Sequence, residues 1–234
     1  FLFGFDTAVI SGVEKTIQAL FDLSPFWHGF TISSALIGTV VGALVSGKPA
    51  DRYGRKPGLF SIAFLFALSA FGSALVNSVE WFIILRFGGG LAVGASSVVA
   101  PMYISEISPA PIRGRMTALF QFNVIFGILM AYISNYFLSD ISIDAWRWML
   151  GVGGVPAVAY FFLLFIVPES PRFLVKKNRI GAAKKVLHKI ETQDIEQEIA
   201  EIKASMLEKK ENLFSGKSVR PIAIAFLAAM FNQF

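Results

Sequence analysis

Two apolar runs without a single charged residue, 30–46 and 59–76, are joined by the stretch Gly47-Lys48-Pro49-Ala50-Asp51-Arg52-Tyr53-Gly54-Arg55-Lys56. Each run approaches the roughly 20 apolar residues that a helix needs to cross a hydrocarbon core. The stretch between them holds five charges and the helix-disfavouring residues Gly47, Pro49 and Gly54. It therefore reads as a tight, solvated turn, and the whole as a membrane hairpin. Four of the five charges are Lys or Arg, and short loops with that bias stay in the cytoplasm. This one assignment fixes the orientation of the rest.

Composition agrees with a membrane protein: 55% of the residues are hydrophobic, 16% are charged and the mean hydropathy is +0.62. A net charge of +5 raises nucleic acid as a partner, but the basic residues gather in loops beside apolar runs, where bilayer orientation explains them. No nucleic-acid partner is expected. With no Cys there are no disulfides, thiol nucleophiles or thiolate metal ligands, and His28 and His188 stand too far apart to suggest a metal. Neither a nucleophile–base arrangement nor a cofactor motif appears, so an enzyme is not expected.

Six spans follow in order. The first runs from before Phe1 to about Leu20, and the others cover about 26–46, 57–76, 81–107, 116–138 and 146–167. Small residues in the second span, Gly29, Ser33, Gly38, Gly42 and Gly47, suit close helix approach in lipid. Trp146 and Trp148 flank Arg147 at the start of the sixth, where an interfacial aromatic belt is expected. Of the 21 Lys and Arg, Lys15 and Arg147 fall on the outer side and Arg86 inside a span. The others fall in 47–57, 107–115 and 168–220, the loops read as cytoplasmic.

The resulting division is a six-helix transmembrane bundle over 1–167 with its first helix truncated, a cytoplasmic helical linker over 168–220, and the start of a seventh span over 221–234. The linker is expected to hold three short amphipathic helices. Ser170 and Pro171 open the first, 181–190 forms the second, and Asp194 opens the third, with Ile195, Ile199, Ile202 and Met206 at helical spacing. Both ends of the chain lie inside apolar runs, so a piece of a longer protein is expected, its C-terminal half missing.

Two charges sit inside spans, Asp6 in the first and Arg86 in the fourth. Each costs about 2.5–3.5 kcal/mol at the centre of a span, which makes it a functional candidate with a partner to be found. They are each other's obvious partner, the bland alternative being a purely structural buried pair.

The motifs also resemble a known family. Gly47, Asp51, Arg52, Gly54, Arg55 and Lys56 are similar to the loop between helices two and three of the major facilitator superfamily, with Pro49 a departure. Phe3-Gly4-Phe5-Asp6-Thr7 resembles helix one of its sugar porter branch. Arg86 with Gly88, Gly89, Gly90 and Gly94 resembles helix four, and Pro101-Met102-Tyr103-Ile104-Ser105-Glu106 followed by Arg113, Gly114 and Arg115 resembles the passage into helix five. Pro168-Glu169-Ser170-Pro171-Arg172 resembles the signature after helix six. The resemblance covers the whole chain and implies an all-α polytopic fold, namely the N-terminal half of such a transporter.

It also implies roles. An aspartate at the position of Asp6 takes the proton in proton-coupled members, with Arg86 beside it. Sugar hydroxyls call for neutral amides and an aromatic face; Gln121 aligns with the sugar-binding glutamine, Phe3 with an aromatic lining position, and Asn232 and Gln233 with the start of the helix-seven sugar motif. Ile128 replaces a second glutamine found in some members. Tyr132 and Asn135 share a helix face with Gln121, as packing or as polar lining. Asp51, Arg52, Arg55, Glu106, Arg113, Arg115, Glu169 and Arg172 match a cytoplasmic salt-bridge network that holds the outward-facing state. The expectation is a plasma-membrane monosaccharide transporter driven by proton symport. The alternatives are a facilitative sugar or polyol (inositol-like) carrier and a transporter-like sugar sensor.

Overall fold

The structure, a computed structural model, describes residues 1–109, 111–190, 194–207 and 224. Among them every regular element is helical, and two compact units divide the chain at Gln193 and Asp194.

The first unit begins with α1 (Leu2–Val9), a 3-10 turn (Ile10–Gly12) and α2 (Glu14–Leu20), then α3 (Pro25–Tyr53), α4 (Arg55–Leu75), α5 (Val79–Ile107) and α6 (Arg113–Leu138). It continues through α7 (Ala145–Val152), α8 (Gly154–Leu163), α9 (Pro171–Lys176) and α10 (Ile180–Lys189). Among the described residues, four helices, α3 to α6, are long and apolar enough to cross a membrane. The stretches expected as the first and sixth spans are helical but interrupted, and neither holds a single helix of spanning length.

The first interruption has a visible cause. Asn135 of α6 donates its side-chain amide to the Val9 carbonyl at 3.0 Å. The Val13 N–H, which an unbroken helix would send to that carbonyl, goes to Ile10 instead at 3.0 Å. A side chain that enters the hydrogen-bond ladder bends a helix. In the sixth span the break falls at Gly153, and Pro156 has no N–H to return to Val152.

The solvated turn expected over 47–56 is a single residue. Helix α3 continues through Pro49 to Tyr53, and α4 starts at Arg55. Only Gly54, at φ 112°, leaves helical geometry. One proline removes one ladder bond, and the turn that follows it is held from outside: Arg55 Nη1 donates to the Ala50 carbonyl, and Lys176 Nζ to that of Asp51.

Backbone approach joins α3 to α5. A Cβ at Gly38 or Gly42 would strike the carbonyls of Phe87 or Leu91, and one at Gly90 or Gly94 those of Ala35 or Thr39. Gly29 and Gly47 face open space, so only half of the expected glycine positions in this span serve packing. Two apolar clusters fill the bundle. One gathers Val9, Val13, Ile17, Phe82, Met149 and Trp146; the other gathers Leu59, Ile62, Phe66, Val93, Val99 and Leu164. Trp146 is thus buried, with the Arg147 guanidinium 4.4 Å above its ring. Of the two tryptophans expected in an interfacial belt, only Trp148 is exposed.

In the linker the first two expected helices are α9 and α10. Ser170 Oγ accepts from the Phe173 N–H at 3.3 Å, as a cap should. The second unit holds α11 (Ile195–Leu207), where Asp194 Oδ1 accepts from the Gln197 N–H at 3.0 Å. Apart from residue 224, the region 208–234 lies outside the described residues.

Candidate functional site

Along α5, Arg86 falls between Phe82 of one apolar cluster and Ala92 and Val93 of the other. Asp6 reaches it from α1. Arg86 Nη1 donates to Asp6 Oδ1 at 2.9 Å and Nη2 to the Asp6 backbone carbonyl at 3.2 Å. The residues are 2% and 8% exposed, so water screens the pair little, and neither charge is tolerable there without the other. Oδ2 of Asp6 accepts no hydrogen bond among the described residues.

At the other end of α5 a second cluster forms around the α3–α4 turn. Arg55 Nη2 contacts Glu106 Oε1 at 2.8 Å and Asp51 Oδ1 at 3.0 Å. Ser170 Oγ donates to Glu106 Oε2 at 2.5 Å. Glu169 Oε1 accepts from the N–H groups of Arg55, Lys56 and Ser170 at 3.0, 3.2 and 2.9 Å, a carboxylate placed where the dipole of α4 favours it. A Cβ at Gly54 would collide with that carboxylate. Tyr103 completes the connection by donating to the Pro168 carbonyl at 2.7 Å.

Of the eight residues expected in this network, the structure brings together Asp51, Arg55, Glu106 and Glu169. Arg52, Arg113, Arg115 and Arg172 are exposed and form no ion pair among the described residues. Arg52 instead lies 5.4 Å over the Tyr53 ring. The sequence reading missed Tyr103 as a member and saw Ser170 only as a helix cap.

Candidate sugar-binding residues are dispersed. A cavity of about 690 Å³ opens among α1, α4, α5, α6 and α8, and Phe3 lines it. Its few polar groups include Ser96, Tyr103, Asn123 and Tyr160, and neither Gln121 nor Asp6 borders it. Such a lining offers little to a sugar's many hydroxyls. Gln121 lies on the exposed side of α6, as does Tyr132, whereas Asn135 is buried against α1. Asn232 and Gln233 lie outside the described residues.

The family model described as "Sugar (and other) transporter" matches residues 1–234. The chain belongs to this sugar transporter family. The resemblance to the sugar porter branch of the major facilitator superfamily is thereby borne out, as is the all-α polytopic fold. This sugar transporter family member is 39% identical to the arabinose-proton symporter of Bacillus subtilis (strain 168), over 99% of this chain and 52% of the symporter. It is also 39% identical to the "Probable inositol transporter 2" of Arabidopsis thaliana, over 88% of this chain and 36% of that protein. Among solved structures, it matches the partially occluded, inward-open xylose transporter XylE from E. coli with a TM-score of 0.83 and 36% identity, covering 88% of this chain and 56% of that one. The chain spans about half the length of the curated relatives it matches. Membership places it among multi-pass plasma-membrane proteins, in a family of transporters rather than enzymes.

Proposed function

We propose that the full-length protein takes up a monosaccharide by proton symport through alternating access, and that this chain supplies its N-terminal half. The observation that carries the reading is the buried Asp6–Arg86 pair at 2.9 Å, a protonatable group held between two helices where charge is otherwise excluded. The arabinose-proton symporter named above lends it support. In this reading Asp6 carries the proton and Arg86 is its partner in the ionised state. Substrate hydroxyls are met by Gln121, Phe3, Asn232 and Gln233, with the partner half closing a site near the midplane.

Residues 1–167 then form the transmembrane bundle, and the helices from 168 onward belong to a cytoplasmic linker. The cluster of Asp51, Arg55, Glu106 and Glu169 then sits at the cytoplasmic ends and latches the outward-facing state. Arg52, Arg113, Arg115 and Arg172 join it in another state or serve bilayer orientation. A polyol substrate is the second reading, favoured by the 39% identity to the inositol transporter.

The test is uptake by the full-length protein in proteoliposomes, with pentoses, hexoses and inositol as competitors. Acidifying the outside should drive sugar above its external concentration, and a protonophore should abolish the accumulation. Uptake that only equilibrates, whatever the pH gradient, would mean a facilitative carrier. Competition by inositol alone would favour the polyol reading.

A further inference from the structure

Among the described residues, two hydroxyls wholly shut off from the surface have no hydrogen-bond partner. Thr31, Ser34 and Ser96 donate to the carbonyls of Trp27, Thr31 and Val93 at 2.7, 2.7 and 2.8 Å, the usual way for a serine or threonine to satisfy itself within an apolar helix. Ser69 and Ser73, one turn apart on α4, are 1% and 0% exposed, and neither hydroxyl has a partner. A buried polar group left so is unusual enough to ask what it serves.

Ser69 faces the ion pair. The position that a Cβ would take at Gly89 touches the Ser69 hydroxyl and lies 3.5 Å from Asp6 Oδ2, the carboxylate oxygen that Arg86 does not hold. Hydroxyl and carboxylate thus both border the space that a side chain at 89 would take. Any larger residue at 89 would fill it.

The chemistry of the two states explains why a hydroxyl belongs there. A guanidinium only donates, so Arg86 satisfies the carboxylate and has nothing to offer the O–H of the neutral acid. In an apolar interior that O–H needs an acceptor. A serine hydroxyl both donates and accepts, so it serves the ionised and the protonated forms alike.

Other charged groups stand away. Helix α6 has none between Arg115 and Asp140, and α4 has only Arg55 and Lys56 in its first turn. Arg147 of α7 is engaged with the Ala74 and Val76 carbonyls and Asn77. Glu14 and Lys15 lie beyond the break in the first span, and Glu80 and Glu106 lie near the ends of α5. We propose that Ser69 is a positioning residue for the coupling proton, receiving the Asp6 carboxylic acid when it leaves Arg86. The proton stays on Asp6; Ser69 contributes a hydrogen bond and carries no charge. This inference rests on the symport reading above.

The test uses the full-length protein in proteoliposomes. Ser69→Ala removes only a hydroxyl that has no partner in the ion-paired state, so folding should be kept. Concentrative uptake should fall about fivefold to tenfold, as expected for one hydrogen bond lost from the protonated intermediate, with counterflow exchange within about twofold of the parent. Difference infrared spectroscopy between acid and alkaline pH should reveal the carboxylic C=O band of Asp6, identified by its loss in Asp6→Asn. Ser69→Ala should move that band to higher frequency, because the acid has lost a hydrogen-bond partner, while Ser73→Ala should leave it in place. An unmoved band in Ser69→Ala, or concentrative uptake at the parent's level, overturns the role of Ser69 and leaves the symport reading standing. Concentrative uptake by Asp6→Asn itself overturns both.

Discussion

Asp6 and Arg86 were legible as a pair because charge inside an apolar run is costly: each is stabilised by the other at 2.9 Å, with a second contact to the Asp6 backbone. The hydroxyl of Ser69 was not legible. Serine in an apolar helix ordinarily closes on its own backbone, and only the packing of α4 against Gly89 reveals that this one does not. Asn135 shows the reverse. Its spacing from Gln121 placed it among possible sugar contacts, but it spends its amide on the Val9 carbonyl. Gln121 itself faces outward from α6 and is the better candidate for a partner supplied by substrate. Gln121→Ala should weaken sugar binding by about 1–3 kcal/mol, the cost of leaving a buried hydroxyl unmatched. Sugar-dependent quenching or calorimetry on the full-length protein measures it, and unchanged affinity in a folded variant removes Gln121 from the site.

The α3–α4 turn shows how little sequence an abrupt reversal requires. Gly47, Pro49 and Gly54 together suggested a loop of several residues, yet α3 runs through two of them and only Gly54 turns the chain. Its φ of 112° is one that L side chains rarely adopt, and the Glu169 carboxylate occupies the space of its absent Cβ. Gly54→Ala should therefore destabilise the protein by about 1–3 kcal/mol and loosen the cap on α4. A lowered melting temperature in detergent is the readout; an unchanged one would mean the turn relaxes without cost. Span boundaries elsewhere were readable to within a few residues because charges and prolines flank them. The interruptions in the first and sixth spans were hidden, since one depends on a side chain from α6, more than a hundred residues away in sequence, and the other on a proline inside an apolar run.

For the molecule as a whole, the proposed reading has this chain supply one bundle and share substrate recognition with a second half. The basic flanks lead us to expect 51–56 and 172–189 on the same face of the membrane. Single cysteines placed in both, in a chain that has none of its own, should be labelled from the same side; labelling from opposite sides would invert the topology. In the proposed mechanism one proton on Asp6 couples the rocking of the two halves to the gradient. Asp6→Asn keeps the size of the side chain and removes its ability to titrate. In sealed vesicles with an imposed pH gradient, this variant of the full-length protein should still exchange sugar downhill but fail to concentrate it. If it accumulates sugar against a gradient as the parent does, Asp6 is not the coupling residue and the protein is not a symporter of the proposed kind.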